Sequence, residues 1–370
     1  MIRSRLLLLL LASLAACGRP APGPAPTPAE TSPWRTPAFP GATWTTVPAA
    51  ESAGYRSAAL DSITAYLRTL NTTGVVVAAH GRVLYTYGDI TEQSYLASAR
   101  KSLLSMLYGR YVADGTIRLD ETLAELGIDD VGGLTDAEKQ ARVQDLLITS
   151  SGVYHPASNG GDRLDQAPPR GSQTPGTYFL YSNWDFNALG AIFERRTGRD
   201  IYDAFDSDIA KPIGMEDWDR GRQRKRGEAS RSRHLAYHFD LTTRDMARVG
   251  YLMLRDGAWN GRQLVPADWV RQSTASIVPS TRMNPPSEQR NRNGYGYLWW
   301  IMEEPGTLLE GGFSARGMYG QYITVLPKLD MVVAHKRALR PGTGNPSVTW
   351  LQYMELLRML AGARCGRTCG

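Results

Sequence analysis

Two β-rich hairpins sit at opposite ends of this chain, and any compact fold has to satisfy both. Val75–Ala79 and Val83–Tyr87 flank His80-Gly81-Arg82, a turn between runs rich in β-branched residues. Far downstream, Gln321–Leu326 and Met331–His335 flank a turn at Lys328-Leu329-Asp330. Ser57–Leu70 places Leu60, Ile63, Leu67 and Leu70 on one helical face, and Trp350–Leu360 reads as a closing apolar helix. The residues between the hairpins are mostly helical and loop-like. No repeat and no second linker interrupts residues 51–361, so they read as one domain. The expected class is α/β (α+β), with a sheet made from both chain ends and a mostly helical region inserted.

The N-terminus sets the compartment. Arg3 and Arg5 precede the apolar run Leu6–Leu11, which continues through Ala12, Leu14 and Ala16. That pattern reads as a secretory signal, and it is too short for a spanning helix, which needs about 20 apolar residues. The run ends Leu14-Ala15-Ala16-Cys17, which resembles the lipobox of bacterial lipoproteins, where cleavage precedes a Cys that then takes lipid. Residues 1–16 are therefore expected to be a signal peptide, with Cys17 lipidated. Residues 17–50, with prolines at 20, 22, 24, 26, 28, 33, 37, 40 and 48, are expected to form an extended tether. The expected location is the membrane surface, on the periplasmic face of the outer membrane in a Gram-negative host.

Export also decides how the charge is read. A formal charge of +6 and a pI near 9.2 would suit a nucleic-acid binder, but the expected export signal argues against that partner. The seven basic residues within Arg220–Arg233 read as a solvated loop, or more sharply as an anion-binding rim. Cys365 and Cys369, in the tail 362–370, can bridge in an oxidising compartment. They are too few for a zinc site, and the five His residues are scattered, so no metal and no organic cofactor is expected.

The chemistry concentrates in three short motifs. Ser98-Ala99-Arg100-Lys101 opens a helical pattern in which Leu103, Leu104, Leu107, Tyr108, Tyr111 and Val112 recur until Asp114-Gly115. Lys101 then lies one turn beyond Ser98, where a desolvated amine can take the hydroxyl proton. Tyr181-Ser182-Asn183 follows the turn Pro175-Gly176-Thr177, and Ala315-Arg316-Gly317-Met318 leads into the late strand. Taken singly, these segments also read as a capped helix, a polar loop and a Gly-rich edge strand.

In this order the motifs resemble the serine β-lactamase and penicillin-binding protein superfamily: Ser-x-x-Lys, then Ser/Tyr-x-Asn, then Lys/His-Thr-Gly on a strand. Leu146-Leu147-Ile148-Thr149-Ser150-Ser151-Gly152 and Asp240–Ala247 add to the resemblance, which spans most of residues 55–360. It is nearest the class C-like branch of esterases, D-aminopeptidases and 6-aminohexanoate-dimer hydrolases. The resemblance implies a β-lactamase/transpeptidase-like antiparallel sheet flanked by helices. It implies Ser98 as nucleophile, Lys101 as base, Tyr181 as proton carrier and Asn183 as orienting group. Backbone N–H groups of Ser98 and Met318 would form the oxyanion hole, and Ala315, Arg316 and Gly317 would face substrate. The substrate would be a small ester or amide, or a cell-wall peptide. A non-catalytic receptor and a penicillin-recognising enzyme stay open as alternatives. Ala315 stands where penicillin-recognising members have a cation, so carboxylate-bearing substrates are expected to be disfavoured.

Overall fold

The structure is a computed structural model describing residues 32–340, 342, 344, 346–365 and 369. The expected signal peptide and Cys17 lie outside the described residues. Among the described residues, no helix is long and apolar enough to cross a membrane.

Seven antiparallel strands form the central sheet: β1 (Gly74–Ala79), β2 (Arg82–Gly88), β3 (Asn293–Tyr295), β4 (Trp300–Met302), β5 (Phe313–Gly317), β6 (Gln321–Leu326) and β7 (Met331–Lys336). Their order is β2-β1-β7-β6-β5-β4-β3. The two sequence hairpins meet where β1 pairs with β7, in a register running from Gly74 opposite Lys336 to Ala79 opposite Met331. Both strands are buried along their whole length, so period-two alternation sorts side chains between two cores. Val76 joins the core on one face, while Val75 and Val77 join that on the other.

Five helices frame the sheet: α1 (Ser57–Leu67), α2 (Arg100–Ala113), α3 (Asn183–Thr197), α4 (Thr243–Leu254) and α5 (Trp350–Gly362). α1 packs on α5, and their apolar residues share the second core with Val75 and Val77. α4 covers β1, β6 and β7 from the opposite face, and α2 and α3 build the inserted helical region beside it. α1 stops at Leu67, short of Leu70, because the following N–H groups tighten to i−3 bonds at Thr69 and Leu70.

Part of the expected tether is not free. Val47 is buried and donates its N–H to the Val83 carbonyl on the β2 edge, while the Val83 N–H donates to the Thr45 carbonyl. Phe39 packs edge-on to Tyr251 and Trp259, and Trp44 donates its indole N–H to the Arg244 carbonyl. The apolar side chains set among the prolines gain more by burial than a solvated spacer would. At the other terminus Cys365 and Cys369 form a disulfide. The basic stretch behaves as a mostly solvated surface: Arg222, Arg224, Arg226, Arg231 and Arg233 are exposed, and Arg220 pairs with Asp200 and Asp203.

Candidate active site

Ser98 sits in a single 3-10 turn, Ala97–Ala99, that runs into α2. Ala97, just before it, has φ +49°, a left-handed conformation that turns the chain sharply from the Leu96 backbone into the helix. β5 passes this turn very closely. A Cβ on Gly317 would lie 2.3 Å from the Leu96 carbonyl oxygen and 3.1 Å from the Ala99 nitrogen. Only glycine lets the third motif press against the Ser98 turn.

Lys101 is 2% exposed and makes three polar contacts. Its Nζ lies 2.6 Å from Tyr181 Oη, 2.7 Å from Asn183 Oδ1 and 3.1 Å from Ser98 Oγ. An unprotonated amine has two N–H donors and one lone pair. Asn183 Oδ1 can only accept, so one N–H goes there and a second goes to Tyr181 Oη. That leaves the lone pair for the Ser98 hydroxyl. The Phe186 ring lies 3.9 Å from Nζ and the Tyr181 ring 4.2 Å. Burial among these rings is the largest cause that holds the Lys101 amine well below its ordinary value, with the charge of Arg100 second. Tyr181 is pushed up to about 12, chiefly by burial, so it remains a phenol with a proton to give.

Thr149 fixes the second motif. Its Oγ1 donates to the Leu180 carbonyl at 2.8 Å and accepts from the Ser182 N–H at 3.0 Å, while its own carbonyl accepts from the Leu180 N–H. The Leu146–Gly152 stretch thus clamps the chain on both sides of Tyr181. The Asn183 amide is oriented by donating Nδ2 to the Gly160 carbonyl at 2.8 Å.

Ser98, Tyr181, Arg316, Gly317 and Met318 line one cavity of about 460 Å³, together with Asp162, Arg163, Glu288, Trp300 and Trp350. Arg163 and Glu288 form an ion pair at 2.6 Å. Ala315 does not face this cavity. It is fully buried in the core on the α2 side of the sheet. Ala315, expected to face substrate, is thus turned away, and of the two neighbours it is Arg316 that lines the cavity. Pleating turns Arg316 to the opposite face, where its guanidinium is held between Trp300, 4.4 Å away, and Trp350, 3.9 Å away. Trp300 in turn stacks on Tyr181, with ring centres 5.8 Å apart. Among the described residues Arg316 has no hydrogen-bond or ion-pair partner, and Nη1 is buried and unsatisfied. Burial lowers its pKa to about 10, so it is still charged at neutral pH.

Five features of the site escaped sequence reasoning: the clamp by Thr149, the two indoles on Arg316, and the contributions of Gly160, Asp162 and Arg100. Thr149 already stood in a quoted motif, and Trp299-Trp300 was a visible aromatic pair. Nothing local marked Gly160 or Asp162. Among the described residues no cluster of His, Cys, Asp and Glu could hold a metal.

The chain is a member of the β-lactamase family, which it matches over residues 60–335. Its mixed sheet-and-helix architecture is the β-lactamase/transpeptidase-like fold. It superposes on a structure described as a 6-aminohexanoate-dimer hydrolase from Bacillus anthracis with a TM-score of 0.61 at 19% identity, covering 89% of this chain and 88% of that one. It also superposes on a penicillin-binding protein homologue from Caulobacter crescentus with a TM-score of 0.60 at 16% identity, covering 83% and 97%. Among curated sequences it is 27% identical to the esterase EstB of Burkholderia gladioli over 176 residues, 38% of this chain and 45% of the esterase. A second curated relative, an uncharacterized protein of Alkalihalophilus pseudofirmus, is 28% identical over 99 residues, 25% of this chain and 28% of that protein. The chain thus spans less than half the length of the curated relatives it matches.

Proposed function

We propose that this protein is a serine hydrolase that cleaves an ester or amide bond through an acyl-enzyme on Ser98. The observation behind this reading is the buried Lys101 amine, in reach of Ser98 Oγ, Tyr181 Oη and Asn183 Oδ1 at once. As Ser98 Oγ attacks the carbonyl carbon, its proton passes to Lys101 Nζ. Tyr181 gives its proton to the leaving group and recovers one through Lys101. Attack by water then reverses the transfer, and the acid product leaves with Ser98 reprotonated. The Ser98 and Met318 backbone N–H groups are assigned to the developing oxyanion, where each donor is worth about 2.7–4 kcal/mol. The close passage of Gly317 supports that pairing. A fluorophosphonate probe and short p-nitrophenyl esters test the reading. Peptide mapping should find the adduct on Ser98, and an adduct on any other residue refutes it.

Arg316 favours a substrate with a carboxylate, reversing the preference expected from Ala315. A charge-assisted hydrogen bond to it is worth about 1.5–3 kcal/mol, or roughly ten- to a hundredfold in rate. Arg316→Gln should therefore cost that factor in kcat/KM for an ester bearing a free carboxylate, and little for its methylated counterpart. Equal losses on both would remove Arg316 from substrate recognition. The same cation supports a second reading, a penicillin-recognising enzyme, which labelling of Ser98 by a fluorescent penicillin would establish.

Cys17 is proposed as a lipid anchor on the strength of Leu14-Ala15-Ala16-Cys17. Cys17→Ser should move the protein from the membrane fraction into the soluble one. Detergent-free solubility of the processed, unmutated protein would sink that proposal.

A further inference from the structure

Arg100 occupies the third position of the nucleophile motif, and it is 1% exposed. A guanidinium keeps its charge even when buried, so the interior has to accommodate it. No carboxylate pairs with it among the described residues. Nη2 donates to Asn187 Oδ1 at 3.3 Å, the guanidinium lies 4.3 Å from the centre of the Tyr237 ring, and Nε and Nη1 are buried without partners. An uncompensated internal charge is costly, and this one adjoins the catalytic amine.

The position of that charge follows from α3. Lys101 donates to Asn183 Oδ1 and Arg100 donates to Asn187 Oδ1. Asn183 and Asn187 are one turn apart on the same face, about 6 Å between side-chain roots. One short loop orients both amides: Asn183 Nδ2 donates to the Gly160 carbonyl, and Asn187 Nδ2 donates to Asn159 Oδ1 at 2.9 Å. Both amide nitrogens are thus committed to the loop, which turns both oxygens toward the basic side chains of α2.

We propose that Arg100 is a positioning residue: a permanent positive charge, anchored on Asn187 one helical turn from the Asn183 that anchors Lys101, that adds to burial in keeping this amine unprotonated and ready to take the Ser98 proton. The proposal rests on the reading of Lys101 as the base. Burial among the Phe186 and Tyr181 rings acts in the same sense and is the larger cause, but no other charge around Lys101 adds to it. Ser98 on the turn before α2, Tyr181 before α3, and Asn183 and Phe186 on α3 are uncharged. Asp162, on the loop after Gly160, acts in the opposite sense, favouring the protonated amine from a solvent-reached position. Arg316 faces Tyr181 from β5, and Tyr237 from the strand Ala236–His238 faces Arg100. Arg100 is the second cause, after burial, that lowers Lys101, and it lowers Tyr181 as well.

Lys101 can be titrated directly by carbon NMR in lysine-labelled protein, since the chain has only Lys101, Lys139, Lys211, Lys225, Lys328 and Lys336 to resolve. The pH dependence of Ser98 labelling by a fluorophosphonate gives a second readout. Arg100→Gln removes the charge, while Asn187→Asp leaves Arg100 in place and neutralises it with a carboxylate of nearly the same size. Both should raise the Lys101 titration and the acid limb of labelling by about one pH unit, a tenfold slower reaction below the limb. Arg100→Lys, which preserves the charge, should stay near the unmutated value. If neither Arg100→Gln nor Asn187→Asp moves the titration, the proposal is overturned. A purely structural role would lower labelling alike at every pH and leave the titration in place. If the unmutated protein takes up no probe but the NMR titration shifts as described, the hydrolase reading fails while the effect of Arg100 on the Lys101 amine stands.

Discussion

Lys101→Met should slow acylation of Ser98 by at least about a hundredfold, and Ser98→Ala should abolish covalent labelling while leaving the melting temperature nearly unchanged. The first figure is the usual cost of losing a positioned base. The second follows because Ser and Ala differ by one hydroxyl and Ser98 is only partly buried. On the proposed mechanism Lys101 works as a free amine, so the acid limb of kcat/KM should follow its protonation and fall well below the ordinary lysine value of 10.5. Activity is lost as pH drops through that lowered value, not as it rises. The stability consequence runs in the same direction. Between the lowered value and 10.5 the unfolded chain binds the extra proton, so stability rises with pH across that window. Lys101→Met removes this dependence, and urea melts of both proteins at several pH values would measure it. An unchanged acid limb in a still-active Lys101→Met protein would exclude Lys101 as the base.

Gly317→Val should have an effect of similar size on rate and a larger one on stability. The first added carbon alone would lie 2.3 Å from the Leu96 oxygen, and that neighbour is backbone, not a mobile side chain. β5 and the nucleophile turn must then separate. Overpacking of this kind costs about 1–3 kcal/mol, and a displacement of about 1 Å at the reacting groups costs on the order of a hundredfold in rate. Thermal melting and Ser98 labelling measure the two effects separately. Full labelling of a folded Gly317→Val protein would show that β5 takes no part in the site.

The parts of the fold readable in the chain are those with a local signature. The hairpins at β1/β2 and β6/β7 have β-branched runs and turn residues, and they appear within a residue or so of their expected bounds. β3 and β4, at the far edge of the sheet, were missed, because Asn293–Tyr295 and Trp300–Met302 are too short to show a period. The closing helix was legible from its apolar stripe, and α1 was legible except for its last turn. Residues from Ser32 to Ala50 misled because proline content outweighed the scattered Phe39, Trp44 and Val47 that fasten them to the domain.

At the site, the order of the motifs was enough to single out Ser98, Lys101, Tyr181 and Asn183, and the structure brings these four together around one amine. Residue types and spacings on one helix turn or one loop entry are properties of the chain alone. Which way Ala315 and Arg316 point was not. Strand pleating places them on opposite faces, but which face opens on the cavity depends on β4, α5 and the loop before it, all distant in sequence. Arg100 is the sharper case: in the chain it is one basic residue among 42, and only the packing of α2 against α3 buries it unpaired beside Lys101. The sequence determined the identity and local spacing of the reacting groups. The tertiary structure decided their charge states, because desolvation and Coulomb fields depend on neighbours that the chain brings together only when folded.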